Sequence, residues 1–91
     1  MKNPDRKTVS QLEDLPNIGK AIAGDLRLVG IQQPQELLGK YPYQLYDDLC
    51  NTTGRKHDPC VIDVFIAVVD FMEGGDAKPW WKFTAERKKN I

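Results

Sequence analysis

The sequence predicts an all-α fold, a compact single domain of about five short helices, and three observations point to it. Apolar residues recur three and four positions apart in successive stretches, the spacing that keeps them on one face of a helix. Prolines and glycines punctuate those stretches where helices begin and end. A chain of 91 residues makes one small domain, whose core must be compact and largely helical to be stable unaided.

Met1 to Thr8 reads as a flexible lead-in. Ser10 is expected to cap a short first helix, with Glu13 completing a capping box. Leu12 and Leu15 share one face of it, and Pro16 stops it by removing a backbone donor. The chain turns within Asn17, Ile18 and Gly19. A second helix then begins near Gly19, carried by Ala21, Ile22, Leu26, Leu28 and Val29, and stops at Gly30. Residues 34–40 form a connecting helical turn, opened by Gln33-Pro34 and closed by Gly39, with Leu37 and Leu38 facing inward.

Residues 43–73 supply a second helical pair. Tyr41-Pro42-Tyr43 opens its first helix, Leu45, Tyr46, Leu49 and Cys50 keep helical spacing, and Thr52-Thr53-Gly54 breaks it. Arg55-Lys56-His57 is the loop. Asp58 and Pro59 mark a strong helix start, an N-cap followed by a residue suited to the first helical position. That helix is expected to run to Glu73 before Gly74-Gly75, and it is apolar on nearly every side, so it should be central to the core. Asp63 and Asp70, seven apart, are expected to form its solvated stripe. Residues 76–91 read as a tail, in which Trp80 and Trp81 are expected to close the edge of the core; the alternative is stacking on bases between Lys78 and Lys82.

The turn at 17–21 has the chemistry of a phosphate seat. Asn17 tolerates a left-handed backbone, and Ile18 points inward to pin the two helices. Gly19 has no side chain at a helix start whose first amides are unpaired, so an outside oxygen can approach the backbone of Gly19, Lys20 and Ala21. The Lys20 ammonium can reach the same oxygen. Leu15-Pro16-Asn17-Ile18-Gly19-Lys20, followed by Ala23 and Gly30-Ile31, resembles the helix-hairpin-helix signature, a hydrophobic residue and then P-G-hydrophobic-G. The resemblance implies binding of one DNA strand through its phosphates, without sequence reading. The first hairpin glycine of that signature is Asn17 here, which puts a side chain beside the expected phosphate path.

Through L-P-N-I-G, D-L-R-L-V-G-I, L-Y-D-D-L-C, H-D-P-C and P-W-W-K-F-T, residues 12–88 also resemble a family of small bacterial proteins, the pathogenicity-locus family. Some of its members are labelled mitomycin resistance proteins. The resemblance implies a double helix-hairpin-helix-like (SAM-like) arrangement, with 8–31 as the first copy and 43–73 as a degenerate second whose loop replaces the glycine hairpin. In a paired arrangement the two loops lie side by side, so Arg55 and Lys56 could supply charge to neighbouring phosphates. The plain alternative is that they are ordinary loop cations.

Charge sets a limit on this reading. The formal net charge is zero, which argues against strong electrostatic DNA binding. Residues 1–7 carry net +2 and residues 78–91 net +4, leaving the middle at net −6. No signal peptide or membrane-length apolar run is present, so a cytoplasmic location is expected and no membrane. Cys50, His57 and Cys60 bracket the second loop. Cys60 lies in the first turn of its helix near His57, a setting that can stabilise a thiolate, and the three could hold a metal or form a redox pair, with packing as the plain alternative. No other constellation suggests an enzyme, and no cofactor is expected.

The expectation is therefore non-sequence-specific DNA binding through Asn17, Ile18, Gly19, Lys20 and Ala21, with Arg55 and Lys56, in DNA repair, damage resistance or DNA uptake. The first rival is a protein-interaction module using the hairpin or the Trp80-Trp81 surface. The second is thiol or metal chemistry at Cys50, His57 and Cys60.

Overall fold

The most apolar stretch of the sequence becomes the axis of the fold. In the computed structural model, which describes residues 7–90, four α-helices form: α1 (Lys20–Leu28), α2 (Pro42–Thr53), α3 (Cys60–Met72) and α4 (Thr84–Asn90). Three 3-10 turns join them, at Leu12–Asp14, Pro34–Leu37 and Trp80–Phe83. Ile62 to Val69, Phe71 and Met72 of α3 are all buried. The helix is covered by α2, α4 and the turns at 34–37 and 80–83, while α1 packs on α2 and on the turn at 12–14. The radius of gyration is 12.0 Å, close to the roughly 12 Å of a well-packed chain this long.

Local chemistry explains most boundaries. Pro42 opens α2 at its first position, and Gly54 closes it in a left-handed conformation at φ 71, returning its amide to the Cys50 carbonyl. Asp58 Oδ1 accepts the Cys60 amide at 2.9 Å and so supports the start of α3, which begins one residue later than expected, with Pro59 in the cap position.

Four expectations fail. The first helix is a single 3-10 turn, because Leu15 precedes Pro16 and is forced into extended backbone at ψ 149, which ends the helix one turn after it begins. Its cap is also different. Asp14 accepts the amides of Ser10 and Gln11 and the Ser10 hydroxyl, while Glu13 turns away to make two hydrogen bonds with Arg27 of α1. Leu38 faces outward at 51% exposure; Leu37 fills the core in its place.

The third and fourth failures share a cause. Residues 80–90 are helical rather than a tail, and Trp80, Phe83, Thr84 and Arg87 are spaced so that one face lies on α3. Asp63 is consequently not solvated. It is fully buried, with Thr84 Oγ1 and Arg87 Nε each donating to it at 2.8 Å. Asp70 is partly covered, with Lys78 Nζ 3.8 Å from its carboxylate. The lead-in at residues 1–6 lies outside the described residues, and with it Lys2 and Arg6.

Candidate functional site

The turn before α1 is built by proline and asparagine. The Leu15 carbonyl accepts the Ile18 amide at 3.3 Å, closing a four-residue turn with Pro16 second and Asn17 third. Asn17 has φ 69, and a turn with positive φ at its third residue needs glycine or asparagine there. Ile18 is buried, anchoring the turn to the core.

Gly19 follows in extended backbone, φ −100 and ψ −173, which any residue can adopt. A Cβ added there would meet nothing within 4 Å. Neither conformation nor internal packing therefore asks for glycine at this position. No side chain caps α1, and the first amide of the helix to bond internally is that of Ala23, to the Gly19 carbonyl at 3.0 Å. Lys20 and Ala21 are exposed, and Lys20 has no ion-pair partner among the described residues. The result is an open helix start with unpaired donors and one available cation.

The Asn17 side chain has a partner that local sequence could not reveal. Its Nδ2 donates to the Lys78 carbonyl at 2.7 Å, and its Oδ1 accepts the Trp80 amide at 3.3 Å. The hairpin is thus bonded to the 78–80 segment, which carries Lys78 and leads to Trp81. Trp80 is half-buried against the core, whereas Trp81 is 59% exposed, so only one of the two tryptophans closes the core edge.

The second loop is held by α2. The Tyr46 hydroxyl donates to the His57 carbonyl, the His57 amide donates to Cys50 Sγ at 3.4 Å, and Thr53 Oγ1 pairs with His57 Nε2 at 2.8 Å. Arg55 and Lys56 project from this fixed loop, exposed and without ion-pair partners among the described residues.

Cys50 and Cys60 are both free and partly covered. The Asp58 side chain, hydrogen-bonded to Cys60, pushes its thiol pKa above the ordinary value, and burial adds to this. Among the described residues no three His, Cys, Asp or Glu side chains group so as to hold a metal, Cys50, His57 and Cys60 included. No helix of the described residues is long and apolar enough to cross a membrane.

These features define a small all-α domain whose helices carry a tight turn feeding directly into an uncapped helix start. The chain belongs to the pathogenicity locus family (Cdd1), whose model matches residues 5–89. It is similar to the mitomycin resistance protein McrB of Streptomyces lavendulae, 36% identical over 80 residues that make up 88% of this chain and 76% of the relative. No solved structure matches it.

Proposed function

We propose that the domain binds DNA through its phosphates, without reading sequence, at a helix-hairpin-helix-like seat formed by Asn17, Ile18, Gly19, Lys20 and Ala21. The observation that carries this reading is Gly19, whose missing side chain serves neither backbone conformation nor packing, and which stands beside amides and a lysine that have no partner among the described residues. An anionic oxygen close to the backbone is what such a position accommodates. Arg55 and Lys56 add charge from the second loop. A part in resistance to DNA damage accords with the resistance named for the Streptomyces relative.

The test is a titration with short duplexes of unrelated sequence at two salt concentrations. If phosphates are held, log affinity falls with log salt by about 0.9 per contact, and Lys20→Glu weakens every sequence alike. Absence of binding at low salt to these duplexes and to single-stranded DNA alike would refute the proposal and move interest to a protein partner for the exposed Trp81 edge. The raised thiol pKa of Cys60 gives redox chemistry no support.

A further inference from the structure

Asn17, standing where the hairpin signature has glycine, fastens the C-terminal segment to the hairpin. The two amide hydrogen bonds to Lys78 and Trp80 flank Pro79, whose ring fixes φ at −62, so the segment is held at two points around a stiff residue. Trp81 comes next, its Cα about 3.8 Å from that of Trp80. Its ring meets Trp80 edge to face, 5.7 Å between centroids at 85°, while the indole itself remains 59% exposed. Trp80 is packed on the core, so Trp81 is braced on one side and open on the other.

The segment is mostly cationic. Lys82, Lys88 and Lys89 are exposed and have no ion-pair partner among the described residues, Glu86 is the exposed acid among them, Lys78 lies 3.8 Å from Asp70, and Arg87 turns inward to Asp63. Such a basic surface holds any polyanion. A braced, exposed indole adds an attraction that an unstacked base can use and a base inside a duplex cannot.

We propose that Trp81 is a stacking platform for an unpaired base, so that the preferred ligand is single-stranded DNA running from the hairpin across the basic 78–89 segment. This rests on the phosphate-binding reading of the hairpin. The experiment compares affinity for an oligothymidine strand and for a blunt duplex in the wild type, Trp81→Ala, Trp81→Phe and Asn17→Gly, with circular dichroism to verify folding.

Oligothymidine is expected to quench tryptophan emission, and the ratio of single-strand to duplex affinity is expected to fall about tenfold in Trp81→Ala. Trp81→Phe, which keeps an aromatic face, should recover most of the ratio. Asn17→Gly, which tolerates the positive φ and frees the segment, should lower it. If Trp81→Ala keeps the wild-type ratio, the stacking proposal is overturned while the hairpin reading stands. If the wild type binds neither DNA, both fall together.

Discussion

The side-chain oxygen of Asn17 accepts the backbone amide of Trp80 at 3.3 Å, across 63 positions of sequence. With the second bond to Lys78, one residue satisfies the turn's need for positive φ and fixes the last segment of the chain against it. Asn17→Gly is expected to cost about 1–3 kcal/mol, since each of the two bonds contributes roughly 0.5–1.5 kcal/mol and the backbone is unharmed. Asn17→Ala should cost about 1 kcal/mol more, from strain at φ 69. Asn17→Asp keeps an acceptor for Trp80 but sets a carboxylate against the Lys78 carbonyl. Urea unfolding measures all three, and hydrogen exchange at the Trp80 amide should quicken in Asn17→Gly and Asn17→Ala but not in Asn17→Asp, which keeps the acceptor.

Asp63 and Arg87 carry a different kind of bond. Their side chains are 0% and 13% exposed, so each is costly without the other. Arg87→Ala is expected to destabilise by about 3–5 kcal/mol, because it leaves the Asp63 charge buried with only Thr84 as donor. Replacing both at once, Asp63→Leu with Arg87→Met, should recover most of that loss, as hydrophobic pairs often match buried ion pairs. A double-mutant cycle in urea tests it; equal losses in the single and double variants would show that the pair itself holds α4 in place.

The Cys60 thiol, held above its ordinary pKa by Asp58 and by burial, should react slowly with a disulfide reagent at neutral pH. Asp58→Asn keeps a capping side chain and removes the charge, so alkylation of Cys60 should quicken. The sign for stability follows. A thiol whose folded pKa is raised contributes stability fully present below the unfolded value and lost as pH rises through the folded one. Unfolding midpoints should accordingly fall on the alkaline side, and less so in Cys60→Ser.

Glu13 gives the acid side. Its hydrogen bonds with Arg27 hold its carboxyl below the ordinary carboxylate value. A depressed folded pKa contributes stability above the unfolded value that is lost as pH falls through the folded one, so part of the acid-side loss should vanish in Glu13→Gln. Chemical-shift titration of the Glu13 carboxyl, compared in wild type and Arg27→Ala, checks the cause directly. The folded pKa should rise in the variant.

The fold was legible where local chemistry decides it. Pro42, Gly54 and Asp58 mark helix limits by properties of single residues, and the apolar run from Val61 to Met72 could only be central. What escaped depended on distant partners. Asp63 reads as solvent-facing until Arg87, 24 positions on, is known to reach it. Asn17 likewise reads as a turn residue alone, because its two partners lie beyond position 77. The helix α4 was within reach: Ala85, Glu86, Arg87, Lys88 and Lys89 are good helix formers, and Trp80, Phe83, Thr84 and Arg87 share one face. The pro-turn at Leu15-Pro16 likewise limits the first helix to one turn by a rule readable from sequence. At the candidate site the open start of α1 was foreseeable from Gly19 and the tryptophan surface was readable as a candidate, but its attachment beside the hairpin through Asn17 was not.

The most direct measurement of the central claim is duplex affinity and unfolding free energy side by side in Gly19→Asp. Aspartate is a strong N-cap with open space to enter at this position, so it should hold stability level or raise it by a few tenths of a kcal/mol while occupying the free amides of α1 and repelling phosphate. The expected result is intact or improved stability with DNA binding lost. Unchanged DNA binding in a folded Gly19→Asp protein would contradict the claim that the start of α1 is where phosphate is held.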